Sequence, residues 1–244
     1  MLQAFGNAFE AMHTGTDPDR FFLEVARAAF RADEADLHPA WPEGRTKPAI
    51  AGHPPWRLFH YLDRVDGPIT DNLARNAMLG LGDVDVYSRE RARAFIHAYY
   101  GKDTANLFDS LERQDERCDF CAAHLLYAFG GYFADVQLRV YDRDRLLHVM
   151  AARATTVFVT DQNMVHGDVL WTEPQAPLAA AWMHAITYNA LYFPSLRADL
   201  KTGAGALTRA LNRLYFRTLS FGDPPPRARL LSQRDFNVIF TPDG

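Results

Sequence analysis

Residues 118–134 read CDFCAAHLLYAFGGYFA, and what this stretch forms decides how the rest of the chain is assembled. The segment before it, NLFDSLERQDER (106–117), is already helical in its spacing. Projected at about 100° per residue, Leu107, Leu111, Ala122, Leu125 and Phe129 fall within about 40° of Cys118. The pattern predicts a long helix from about Thr104 into the 130s, with Gly130-Gly131 bending it or admitting a second backbone. From Ala122 to Ala134 no residue carries a formal charge, apart from any proton on His124. A helix apolar on every side is expected at the centre of the molecule.

A second helix of that kind spans 178–193, LAAAWMHAITYNALYF, with His184 at its middle. Two interior helices in a bundle are expected to be neighbours, which places one imidazole from each toward a shared pocket. This reading makes the space between helices 120–134 and 178–193 a site for a small molecule or a metal. His124 and His184 serve there as acid and base or as ligands, and Tyr127, Tyr188 and Asn189 supply hydrogen bonds. Asp144 stands four residues before His148 on one helix face, so both are candidate further ligands of a transition metal. The plainer reading is two core histidines with satisfied hydrogen bonds and no ligand.

Cys118 and Cys121 are the only cysteines in the chain. Cys118 lies at the centre of the inward stripe and Cys121 about 60° to one side, where a thiol packs as a small hydrophobe. A structural zinc site typically wants four ligands, and beyond His124 no fourth is in view. A redox pair should follow a strand, and this one follows a helix. VHGDVLWTE (165–173) resembles the catalytic loop of aminoglycoside-type phosphotransferases over His166 to Asp168 alone. That family carries an asparagine five residues past the aspartate, where Glu173 stands here, and a turn entering a strand accounts for these residues.

Around these helices, Ser88 caps a helix that Gly101 closes, and Asp142 caps one through Met150. WRLFHYLDRV (56–65) reads as helical. TTVFVTD (155–161) and DVLWTE (168–173) read as a hairpin, FNVIF (236–240) as a third strand, and 204–219 as another helix. Toward the N-terminus, Leu2, Phe5, Phe9 and Met12 suggest an amphipathic helix, and Asp17-Pro18 starts a second. The segment 39–56, rich in proline, reads as an irregular internal boundary or lid. The expected fold is therefore mainly α: a single-domain helical bundle over 1–244, with a small antiparallel hairpin or three-strand element in the C-terminal half.

Composition bounds the function. With 48% hydrophobic and 23% charged residues the 244-residue chain is expected to be globular. A net charge of −4 gives no general attraction to nucleic acid or anionic lipid. Residues 175–195 are uncharged, but Pro177, His184, Thr187 and Asn189 favour a buried helix over a membrane span. The N-terminus lacks the pattern of a secretory signal, so a cytoplasmic location is expected. No Gly-x-Ser-x-Gly elbow, Walker loop, dinucleotide turn or His-Glu-x-x-His helix occurs. The expected partner is a small molecule or, as an alternative, another protein docked by a regulatory module in which Trp41 and Trp56 supply aromatic contacts.

Overall fold

Arg57–Tyr61 forms a strand, β1, and not part of a helix. All but its first residue are buried, with Leu58 and His60 facing one core and Phe59 and Tyr61 the other. The computed structural model describes residues 57–63, 71, 73–74, 83–150, 155–222 and 226–240. The proline-rich segment 39–56 and the two N-terminal helices read from the sequence lie outside the described residues.

β1 pairs in parallel with β2 (Asp83–Tyr87) on one side and β3 (Gly131–Ala134) on the other. β3 is antiparallel to β5 (Val165–Thr172), β5 to β4 (Thr155–Val159), and β4 runs parallel to β6 (Ala228–Leu231). The sheet is six-stranded and mixed, in the order β2-β1-β3-β5-β4-β6. This overturns the expected bundle with a minor hairpin: the helices are layered on an α/β sheet.

One layer holds α1 (Arg89–Tyr100), α2 (Lys102–Ser110), α3 (Gln114–Phe129), α5 (Pro177–Tyr192) and α7 (Ala204–Phe221). It packs on Phe59, Phe133, Val157 and Leu170. The opposite layer holds α4 (Arg143–Met150) and α8 (Gln233–Phe240), packed on Leu58, Tyr132, Phe158 and Trp171. A four-residue helix, α6 (Ala198–Lys201), joins α5 to α7.

The turn from α3 into β3 decides this arrangement. Gly130 and Gly131 have φ of +64° and +107°, in the range that favours glycine. A Cβ on Gly130 would lie 2.5 Å from Pro174 Cδ, and one on Gly131 2.7 Å from the Arg57 carbonyl oxygen. The glycines therefore stop the helix and let the chain run directly against β1. The expected helix from Thr104 into the 130s is divided by Leu111–Arg113 and ends at Phe129. FNVIF belongs to α8: Phe236, Ile239 and Phe240 are buried at helical spacing, and Ser232 Oγ accepts from the Asp235 N–H at 3.2 Å.

Arg117 ties the end of β1 to the start of α3. It pairs with Asp63, which also accepts from the Tyr61 hydroxyl, and donates to the carbonyls of Leu111 (2.7 Å) and Glu112 (3.0 Å). The uncharged run 175–195 holds α5, whose Leu178, Trp182 and Ile186 are core residues. Among the described residues no helix is long and apolar enough to cross a membrane.

Candidate functional site

β1 runs parallel to both of its neighbours, so the sheet order switches at the β1/β3 boundary, where open α/β sheets form crevices beyond the strand ends. Asp135 follows β3 there. β5 runs antiparallel, which brings its first half alongside, and the Asp135 N–H donates to the Asp168 carbonyl at 2.7 Å. A cleft of about 640 Å³ opens at this point, within the size range of small-molecule sites.

Six carboxylates line it: Asp115 and Asp119 from α3, Asp135 after β3, Asp161 in the β4–β5 turn, Asp168 in β5 and Asp199 in α6. Among the described residues no lysine or arginine does. Asp115 is neutralised by Arg113 at 2.7 Å, which holds its carboxyl below the usual range, and Asp199 lies 3.2 Å from Arg197. Among the described residues Asp119 and Asp135 have no basic partner of that kind. Burial pushes the Asp119 carboxyl up to about 8, the neighbouring Asp115, Asp168 and Asp135 adding to the effect. Burial also raises Asp135, against the N–H of Gln137 that its Oδ1 accepts at 2.8 Å, and Asp168 adds to the rise. The cleft thus gathers carboxylates in different states: Asp115 and Asp199 are paired with arginines, burial holds Asp119 toward its neutral form, and Asp135 has no lysine or arginine partner among the described residues.

The far wall is built around Thr202. Its hydroxyl donates to Asp119 Oδ2 at 2.8 Å, and its carbonyl accepts from the Trp182 indole N–H, also at 2.8 Å. Asn189 Nδ2 donates to the carbonyls of Leu200 (3.3 Å) and Lys201 (3.0 Å). Lys201 Nζ lies 2.8 Å from Glu116 Oε1, an ion pair with side-chain exposures of 10% and 3%. Gly203 and Ala204, which open the 18-residue α7, face the cleft, and no side chain caps that helix end. The N-terminal end of that helix, the end of positive dipole, thus lies at the cleft.

The structure does not gather the residues expected from the sequence. α3 and α5 do pack together. His124, however, is buried while His184 is exposed, so they share no pocket. The His124 Nδ1–H donates to the Phe120 carbonyl at 2.7 Å, and the ring stacks on Phe120 and meets Tyr100 edge-on. Burial lowers it to about 4, which leaves it neutral. Tyr127 is half-buried, Tyr188 exposed against Tyr192 and Phe193, and Asn189 committed to the backbone of α6. His148 and Asp144 are exposed on α4, across the sheet from His124. Among the described residues no three His, Cys, Asp or Glu side chains are grouped to hold a metal ion. Cys118 and Cys121 are free thiols that burial pushes up, although Cys118 touches the cleft.

The cleft residues gave little local signal because six separate elements supply them. Asp135 becomes visible only once Gly130-Gly131 is read as a helix stop followed by a strand. His166 and Asp168 stand out as a motif, and they line the cleft within β5.

No protein-family model matches the sequence, and no curated protein matches it. Among solved structures, the chain is similar to one titled PaToxG glycosyltransferase, with a TM-score of 0.41 and 8% identity, covering 91% of this chain and 83% of that one.

Proposed function

We propose that the cleft binds a phosphate-linked sugar donor together with a divalent cation, and that the protein transfers the sugar to a hydroxyl acceptor. The observation that supports this reading is the cleft's lining: six carboxyl groups, no lysine or arginine among the described residues, and an uncapped helix end on the same wall. Carboxylates crowded in this way gain from a cation. With fewer than three grouped protein ligands, that cation must complete its shell with water and ligand phosphate, as magnesium-type sites do. In this reading Asp135 and Asp168 hold it. The α7 N-terminus supplies N–H groups for remaining phosphate charge. The other carboxylates are acceptors suited to the hydroxyls of a sugar.

The test is turnover. Purified protein with Mn²⁺ and a panel of nucleoside diphosphate sugars should release nucleoside diphosphate and sugar, and Asp135→Asn should lower the rate at least about a hundredfold. Wild-type release no faster than the metal blank would reject the reading. The free thiols accord with a reducing, cytoplasmic-type compartment.

A second reading, a docking module without catalysis, is favoured by one observation. Tyr188, Leu191, Tyr192 and Phe193 are 45–66% exposed at the end of α5. Aromatic side chains of this kind anchor protein interfaces. A Tyr192→Ser variant that loses a partner captured by wild type, with the cleft inert, would support it.

A further inference from the structure

The parallel register of β1 with β3 ends at Phe59↔Phe133, while β3 continues beside β5 to Ala134↔Val169. Where the first ladder stops, a side chain takes over. His60 Nδ1 lies 2.8 Å from the Ala134 carbonyl oxygen, a contact across 74 positions of sequence. A carbonyl only accepts, so Nδ1 carries the hydrogen and donates it. By strand alternation the ring lies with Leu58 on the α4/α8 side of the sheet, fully buried. Its Nε2 has no hydrogen-bond partner among the described residues. An acceptor left in that way costs free energy that an apolar side chain in this place would avoid. The bond from Nδ1 is therefore what a histidine supplies here.

Asp135 follows Ala134 directly. The peptide between them is held on both sides: His60 takes its carbonyl, and its N–H donates to the Asp168 carbonyl at 2.7 Å. Beyond it, the Asp135 carbonyl accepts from the Leu138 N–H at 3.0 Å, and Oδ1 accepts from the Gln137 N–H at 2.8 Å. Oδ2 is the oxygen that these bonds leave over. Asp135 lines the cleft and His60 does not.

We infer that His60 is a positioning residue for the cation site, holding through Ala134 the peptide that carries Asp135. This rests on the reading of Asp135 as a holder of the cation. Without the Nδ1–H, the Ala134 carbonyl loses its tie to β1. The peptide then keeps its β5 bond alone and can tilt about it, and the Asp135 carboxyl swings with it. A metal ligand works only when held within about 0.5 Å of its productive place. Removing a group that stands behind a ligand typically weakens metal binding by about tenfold to a hundredfold.

The test reads Mn²⁺ affinity by paramagnetic resonance in the presence of a panel of nucleoside diphosphate glucoses, against blanks without protein. His60→Leu keeps an apolar side chain and removes the donor, and its Kd for Mn²⁺ should rise about tenfold or more. His60→Asn carries an amide N–H one bond beyond Cγ, where Nδ1 stands, and its Kd should stay within about threefold of wild type. Leu58→Ala lies on the same face of β1, opposite Tyr132. It opens a cavity and lowers the melting temperature without touching Ala134, so its Kd should also stay within about threefold. An unchanged Kd in folded His60→Leu overturns the assignment. So does a loss in Leu58→Ala equal to that in His60→Leu, or no recovery in His60→Asn. A measurement on wild type covers a variant that fails to fold. Long-range ¹H–¹⁵N spectra should show the neutral His60 ring with its hydrogen on Nδ1, and a hydrogen on Nε2 would overturn the role. A wild-type protein that binds no Mn²⁺ with any donor rejects the cation reading and this role together. Failure confined to the His60 variants rejects only the role.

Discussion

His60 and His124 are each lowered by burial to about 4, His60 keeping one bond from Nδ1 to the Ala134 carbonyl at 2.8 Å. Their unfolded value is near 6.5, so the unfolded chain binds more protons between about pH 4 and 6.5. The stability they contribute is complete above that window and is lost as pH falls through it, on the order of 3 kcal/mol for each ring. His124→Leu should therefore change stability by less than about 1.5 kcal/mol at pH 7 and reduce the loss between pH 6.5 and 4, measured by urea unfolding. Asp119 acts in the opposite sense. Its folded value near 8 lies above the unfolded one, so its stabilising protonation is lost as pH rises toward 8. Asp119→Asn should raise the melting temperature relative to wild type at pH 8.5, by a margin that shrinks steadily as pH falls toward about 4. Equal effects at both values would contradict the burial of that carboxylate. The sequence shows His124 in apolar surroundings, and that much is correct. It offers no sign that His184 faces water, because α5 is uncharged around its whole circumference and hydropathy alone cannot say which side is covered.

At the scale of elements, α6 and the turn after α3 are the parts that shape the cleft. α6 is too short to hold itself and is fixed by Lys201–Glu116, Thr202–Asp119 and the Asn189 amide. Lys201→Met leaves Glu116 buried without its partner and should cost about 3–5 kcal/mol in chemical denaturation. The double variant with Glu116→Leu should recover most of that, since no unpaired charge remains. Gly131→Ala should destabilise by more than about 2 kcal/mol, because it combines a positive φ with a backbone collision against β1. The helix capped by Ser88, the helix after Pro177 and the hairpin partners β4 and β5 were legible from caps, charge and β-branching. β1 and β3 were not. They have five and four residues and are buried on both faces, so they lack the alternation that distinguishes a strand from a stretch of buried helix.

At the scale of the whole molecule, the sheet places in one cleft residues from Asp115 to Gln233, more than a hundred positions apart. No local motif could announce such a site, and the search for one pointed instead to the greasiest helices, which form the core. What the fold gathers is six carboxyl groups next to an uncapped helix end, and their use to hold a cation and an anionic donor is the central claim. Calorimetric titration of a nucleoside diphosphate sugar panel into the wild-type protein, with and without Mn²⁺, tests it most directly. Binding should require the metal, and Asp135→Asn should weaken it at least about tenfold, or 1.4 kcal/mol, without altering the fold by circular dichroism. Binding of equal strength without metal, or equal strength in Asp135→Asn, would contradict the account.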